Sequence, residues 1–403
     1  MTDIYPAIRI SEHVYWVGAI DWSIRDFHGY TTPHGSTYNA YLIMADKITL
    51  IDAVKAPFMD EMLARVASVV DPSKIDYIVS NHSEQDHSGC LLKVIDQVKP
   101  EKVFASAMGV KTLKEIFHDP YHILPVREGE TLSLGNMDLQ FMEARMIHWP
   151  DSMFSYLAKD GVLFSQDAFG MHLASLERFA DELPADQLTY EAATYYANIV
   201  LPYSPVVLKA LEKIAATGWA IKIFAPDHGP VWRKELGFIL NLYRKWALQQ
   251  PAAKAVVVYA TMWHSTEKMA KAIAESMAAA GVRVKLLSMN DVHRSEVVYE
   301  VLEAGALIVG SPTLNNNILP QMADVMTYLK GLKPANLIGA AFGSFGWSGE
   351  SVRDLEAILK EMKVEMIAEP ISVKHVPGND VLEKCHGMGK TIAAELLKRV
   401  NAH

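Results

Sequence analysis

The feature that most constrains this chain is the stretch Asn81-His82-Ser83-Glu84-Gln85-Asp86-His87, directly after the apolar run Ile75-Asp76-Tyr77-Ile78-Val79. It crowds four metal-capable side chains into six residues. Alternate residues of an extended segment point the same way, so His82, Glu84 and Asp86 converge while His87 reaches in from the turn. That geometry suits two metal ions side by side better than one. Carboxylates packed into such a turn repel one another, and a bound cation removes that cost. Glu84 also puts a hard oxygen donor where a zinc hydrolase would carry a third imidazole, which favours a redox metal such as iron.

Three further candidates follow strand-like runs: His148 in Met146-Ile147-His148-Trp149-Pro150-Asp151, Asp167 in Phe164-Ser165-Gln166-Asp167, and His228 in Pro226-Asp227-His228-Gly229. Runs at 75–79, 138–142 and 162–166 each deliver a metal-capable residue at or shortly beyond their ends, as a scaffold sheet presents a site on its loops. A single His near a strand end is more often a hydrogen-bonded structural residue than a ligand. The tight cluster is the part that packing does not explain.

A chain of 403 residues is too long for one ordinary core, so two domains are expected. Residues 1–250 read as short strands, turns and scattered histidines, and the sequence changes character at Gln249-Gln250-Pro251-Ala252-Ala253. Over 254–403, strands fit at 255–259, 282–287, 306–310, 338–342 and 364–367, with helices at 266–280, 321–329, 350–362 and 383–400. Five buried strands with crossover helices imply a doubly wound parallel sheet.

The net charge of −9, from 38 basic and 47 acidic residues, argues against nucleic-acid or anionic-membrane partners. The N-terminus lacks the regions of a signal peptide, and no apolar run is long enough to span a bilayer. Only Cys90 and Cys385 are present, too few for a disulfide framework or a four-Cys iron–sulfur site. A cytoplasmic location is expected.

In the C-terminal half, Thr261-Met262-Trp263-His264-Ser265-Thr266 joins the first strand to a helix. Its hydroxyls and backbone N–H groups suit a phosphate at the helix N-terminus, and the lack of fingerprint glycines favours a monophosphate over a pyrophosphate. Helix capping alone would also explain the hydroxyls. Two more loops, Ser311-Pro312-Thr313-Leu314-Asn315-Asn316 and Ser344-Phe345-Gly346-Trp347-Ser348-Gly349, follow the third and fourth strands at the same sheet edge. Trp347 offers a flat surface to an isoalloxazine ring, and Gly346 and Gly349 allow close backbone approach. Three converging loops make FMN the stronger reading.

Taken in order, His82-x-Glu84-x-Asp86-His87, His148, Asp167 and His228, with His148-Trp149-Pro150-Asp151-Ser152-Met153, resemble the metal positions of the flavodiiron proteins. The resemblance covers essentially the whole chain. It implies an α/β chain: a metallo-β-lactamase-like αββα domain followed by a flavodoxin-like sheet. It further implies one iron on His82, Glu84 and His148, a second on Asp86, His87 and His228, and Asp167 bridging them. His28 and Tyr196 would stand near the centre as supporting or proton-delivering groups, though local hydrogen bonding explains them equally well. The implied activity is electron transfer through FMN to the diiron centre, reducing O2 to water, NO to N2O, or both. A head-to-tail homodimer or dimer of dimers is implied, with FMN of one subunit facing iron of the other. With no Cys-x-x-Cys pair and no nicotinamide fingerprint in the chain, a separate rubredoxin is the expected donor, with a deazaflavin as alternative. Two rivals come from other classes. One is a dizinc hydrolase; the other is a flavodoxin-like carrier or sensor with a purely structural metal.

Overall fold

The computed structural model describes residues 5–118 and 122–402. It divides into two compact units. The first comprises residues up to His28, Thr32–Tyr195 and Pro205–Arg244; the second comprises Gly29–Thr31, Tyr196–Ser204 and the chain from Lys245.

In the first unit, a seven-stranded sheet runs in sequence order from Ile8–Arg9 through Val14–Trp16, Tyr41–Ile43, Thr49–Ile51, Tyr77–Ser80 and Lys102–Ser106 to Ile123–Val126. Pairing is antiparallel as far as Thr49–Ile51 and parallel beyond it. The period-two pattern of these strands decides what covers each face. Tyr41, Ile43, Ile51 and Val79 meet Leu139, Phe141 and Phe164 of a second, five-stranded sheet. The alternate residues Leu42, Leu50 and Ile78 pack on Met62, Leu63 and Val66 of helix Met59–Ala67 and on Leu91, Val94, Ile95 and Val98 of helix Leu91–Val98. Those last four recur at one helical face, which is why that segment is a helix and why it lies on the sheet. On the far side of the second sheet, Val207, Ala210 and Tyr243 close over Phe154 and Phe169. Helix, two sheets and helix: the expected αββα sandwich is present.

In the second unit the parallel sheet has the order Arg283–Ser288, Ala252–Tyr259, Ala304–Gly310, Ile338–Phe345. Chain direction of winding reverses between Ala252–Tyr259 and Ala304–Gly310, so a crevice opens at the carboxyl ends of those two strands. The three inner strands, Ala252–Tyr259, Ala304–Gly310 and Ile338–Phe345, are nearly continuous buried runs, as a sheet covered on both faces requires, whereas the edge strand Arg283–Ser288 is only partly buried. The last strand differs from expectation. In place of one strand at 364–367 there are two short ones, Glu365–Met366 and Ile371–Lys374, and both pair with Ile338–Phe345. Among the described residues no helix is long and apolar enough to cross a membrane.

Candidate metal centre and flavin cleft

Asp52, Asn81 and Ser155 fix the turn that carries the cluster. Asn81 donates its backbone N–H and its side-chain amide to the buried Asp52 carboxylate at 2.6 and 2.8 Å, and Ser155 donates to Asn81 Oδ1. Burial pushes the Asp52 carboxyl up to about 6, despite the two bonds from Asn81. The chain then departs from the extended path that alternation suggests. His82 and Glu84 lie on it, but Gln85–Ser88 forms one helical turn, so Asp86 and His87 enter the site as successive residues of a helix.

The seven expected ligands come together in two groups. His82, Glu84, His148 and Asp167 form one, and Asp86, His87 and His228 the other; within each group the candidate ligand atoms lie within 4.8 Å of one another. Asp167 serves both. Its Oδ2 is 3.3 Å from His82 Nε2 and 3.0 Å from His148 Nε2, while its Oδ1 is 3.2 Å from His87 Nε2 and 3.5 Å from His228 Nε2. Glu84 Oε2 completes the first group at 3.1 Å from His148 Nε2, and Asp86 Oδ2 the second at 3.2 Å from His228 Nε2.

Proton positions decide what this arrangement wants. A neutral imidazole carries one N–H. His228 Nδ1 lies 2.6 Å from the Thr37 carbonyl, His82 Nδ1 3.2 Å from Asp151, and His87 Nδ1 3.7 Å from Asp227. For His228 and His82 the outer acceptor holds the proton there, so their Nε2 atoms turn a lone pair inward; the His87–Asp227 contact is too long for a hydrogen bond. Carboxylate oxygens converge on the same points. Both oxygens of Asp86, Asp167 Oδ1 and His87 Nε2 are buried without a hydrogen-bond partner. A set of inward lone pairs and anionic oxygens is unsatisfiable by protein donors and well matched to cations. With protonated imidazoles facing them in place of cations, these carboxylates still stay anionic: burial opposes ionisation of Glu84, but hydrogen bonds from His148, His28 and His82 outweigh it and hold the carboxyl well below its usual range. For Asp167, burial is likewise overcome, chiefly by the charges of His82 and His87. Three anionic carboxylates remain in a site built of imidazole and oxygen, the donor mix suited to iron.

The structure separates the two residues expected beside the centre. His28 Nε2 lies 2.6 Å from Glu84 Oε1. The Tyr196 hydroxyl pairs with Ser204 at 3.1 Å and its ring packs on Trp246. The neighbouring Tyr195, not singled out in the sequence, has its ring 5.2 Å from His172 and 6.2 Å from His228. His172, whose role the sequence left open, packs 4.4 Å from His228, and its Nδ1 lies 2.6 Å from Ser36 Oγ.

The three loops of the second unit enclose a cleft of about 580 Å³. Thr261, Met262, Trp263 and Ser265 line it from the first loop, Pro312, Thr313, Leu314, Asn315 and Asn316 from the second, and Ser344, Phe345, Gly346, Trp347 and Ser348 from the third. Four expected residues do not line it. His264 turns to Glu267 at 2.6 Å, Thr266 is buried against Ser344, Ser311 caps the backbone of Leu319, and Gly349 leads into helix Glu350–Glu361. His375 and Val376 line the cleft and were not foreseen, because they follow the unexpected strand Ile371–Lys374. Trp263 and Trp347 are each 86% exposed, two flat apolar surfaces with little of their own to cover them. Thr261 Oγ1 is buried without a hydrogen-bond partner, beside the N-terminus of the fifteen-residue helix Ser265–Ala279. An unpaired hydroxyl at a helix N-terminus fits the phosphate of FMN, and the tryptophans fit its ring system.

A β-lactamase-like sandwich with a paired carboxylate–imidazole centre, continued in one chain by a flavodoxin-like sheet, defines a metal- and flavin-dependent redox protein. Residues 37–229 match the ODP family beta lactamase, and residues 257–387 match Flavodoxin. The rubredoxin-oxygen oxidoreductase of Megalodesulfovibrio gigas is 47% identical over 400 residues, which cover 98% of this chain and 100% of that one. The nitric oxide reductase of Moorella thermoacetica is 44% identical over 393 residues, covering 96% and 98%. The flavodiiron protein of Giardia intestinalis superposes with a TM-score of 0.94 at 33% identity, covering 98% of each chain. The chain belongs to the flavodiiron proteins, oxidoreductases that carry FMN and a diiron centre.

Proposed function

We propose that this protein takes electrons from a small donor such as a rubredoxin and uses them to reduce O2 to water, NO to N2O, or both. The observation that carries the reading is Asp167, whose two oxygens face two separate imidazole pairs and so define two adjacent cation positions. His82, Glu84 and His148 would hold one iron and Asp86, His87 and His228 the other, with Asp167 shared. Held there, a pair of ferrous ions would supply the electrons for reducing a diatomic substrate.

The protein's own groups do the rest. Asp151 and the Thr37 carbonyl orient the imidazoles of His82 and His228, which sets the tautomer each must keep. His28 holds Glu84 from the outer side. Phe27 packs 4.2 Å from the His28 ring and 4.5 Å from His172 and adds apolar surface beside both. In the cleft, Trp263 and Trp347 would sandwich or flank the flavin ring and the Thr261–Ser265 turn would hold its phosphate. The exposed tryptophan rim also supports a head-to-tail homodimer, in which the cleft of one subunit faces the centre of its partner. A cytoplasmic location accords with the two free, buried cysteines.

The test is to purify the protein without oxygen, measure iron, zinc and flavin per chain, and follow O2 and NO consumption with reduced rubredoxin. About two irons and one flavin per chain with turnover of either gas supports the reading. Two zincs with no turnover would replace it with a hydrolase.

A further inference from the structure

Reducing O2 to two waters consumes four electrons and four protons; reducing two NO to N2O and one water consumes two of each. The electrons reach the site from the reduced external donor. The protons start in bulk water, and on its His228 side the centre is closed to it: His87 is fully buried and His228 is 1% exposed. On that side some group must carry protons through the wall.

On one side of the centre, two elements present polar groups in successive rungs. The outer rung joins His34 to Glu191, with Nδ1 and Oε1 2.5 Å apart. The next rung inward, two residues along from His34, is Ser36 Oγ against His172 Nδ1 at 2.6 Å. Tyr195, one helical turn beyond Glu191 on helix Ala185–Tyr195, closes on the same His172 ring. His172 in turn packs on His228. Exposure falls sharply along this line: the His34 side chain is 52% exposed, Glu191 only 5%, and His172 and His228 are buried.

We propose that the His34–Glu191 pair is the proton intake of the metal centre, a positioning role resting on the oxidoreductase reading above. His34 takes a proton from water and hands it to the Glu191 carboxylate. The carboxyl group releases it inward along the Tyr195–His172 side to the oxygen atom being reduced, which leaves as water. His34 is then reprotonated from solvent, so protons balance in each cycle.

A buried carboxylate bonded to a single, half-exposed imidazole is what a carrier needs. Burial raises the Glu191 carboxyl above its usual range, and the bond to His34 only partly offsets this, so the group can hold a proton for transfer.

The test compares holoenzyme with Glu191→Gln, which keeps the shape and the hydrogen bond but cannot shuttle a proton, and with the conservative Glu191→Asp. In the Gln variant kcat should fall at least about tenfold, within what positioned proton transfer contributes. KM for the gas, iron per chain and flavin per chain should stay unchanged. Glu191→Asp should recover part of the rate, as should millimolar imidazole added to Glu191→Gln. A readout independent of turnover is the infrared difference spectrum between reduced and oxidised holoenzyme, which should lose one carboxyl band in the Gln variant. The proposal is overturned if Glu191→Gln turns over like wild type, or if its rate falls only in proportion to lost iron. It is also overturned if the carboxyl bands do not change. Wild-type protein without iron or without turnover would instead refute the underlying functional reading.

Discussion

The metal centre and the flavin cleft solve the cofactor problem in opposite ways. The centre is closely held from outside: all its ligands but the partly buried His148 are buried, and the outer atoms of His82, His228 and Glu84 are bonded to Asp151, the Thr37 carbonyl and His28. The cleft is left open, with Trp263 and Trp347 standing in solvent on loops. The difference follows from the ligand. A cation exchanges water for a fixed set of donors and gains most from donors that need not reorganise, whereas a flat organic ring gains from apolar surface brought against it. Damage to the centre should therefore be severe and cooperative, while damage to the cleft should be graded.

The largest effect is expected at Asp167. Asp167→Ala removes the one carboxylate common to both groups, so iron should fall from about two per chain toward none, with turnover lost and FMN retained, as the shared-ligand geometry requires. Metal analysis beside the flavin absorption spectrum checks this. Loss of one iron alone would mean that the two groups are independent and that Asp167 does not bridge.

Next comes the outer support. Asp151 accepts from His82 Nδ1 and from the Ser83 backbone N–H at 2.6 Å, so it aims both the ligand and the turn that bears Glu84. Asp151→Asn should weaken metal binding roughly 10–100-fold, the usual range for groups that orient a metal-bound imidazole. Competition with a chelator reads the affinity directly. Unchanged affinity would show that packing alone, for instance the edge of Trp149 against His82, holds the imidazole.

In the cleft, Thr261→Val tests the phosphate end with a sign reversal. Removing a buried hydroxyl that has no partner should leave the flavin-free protein as stable or slightly more so. FMN should bind roughly tenfold more weakly or worse, the loss expected for one hydrogen bond to a charged group. Thermal melting with and without FMN, together with a flavin titration, separates the two. Destabilisation of the flavin-free form with unchanged FMN affinity would place the hydroxyl in the fold and outside the site.

The two sites were unequally legible in the sequence. The ligands could be found because four of them crowd into one turn and the others follow strand ends; no packing pressure produces that pattern. What supports them could not. The proton acceptor of His228 is a backbone carbonyl 191 residues away, and Asp52 reveals its grip on Asn81 only when two strands pair. Tyr195 and Tyr196 are adjacent, and choosing between them needs the helical register to within one residue. Helix Ala185–Tyr195 gives way at that point to a π-helical turn, Tyr196–Val200, which sends the two rings to different neighbours. In the cleft, the three strand-to-helix loops were visible as hydroxyl- and glycine-bearing breaks. His375 and Val376 were not, because the last strand is interrupted and its second half realigns on Ile338–Phe345.

The smallest effect, and the cleanest measure of how the cleft differs from the centre, is expected at Trp347. Its side chain is so exposed that truncation removes almost no packing from the folded chain. Trp347→Ala should therefore leave the melting temperature of the flavin-free protein within experimental error of wild type. What it would remove is the proposed contact with the flavin ring, worth about 0.5–1.5 kcal/mol for a favourable aromatic pair, so Kd for FMN should rise roughly 2- to 12-fold. Trp263→Ala should behave alike, and the double variant decides the geometry. If the two rings contact the flavin separately, their losses add; if they form one continuous wall, the second substitution costs less than it does alone. No such partial loss is expected at Asp167. A metal centre with Trp-like additivity, or a cleft that empties on one truncation, would erase the distinction between a site built around its cofactor in advance and one completed by it.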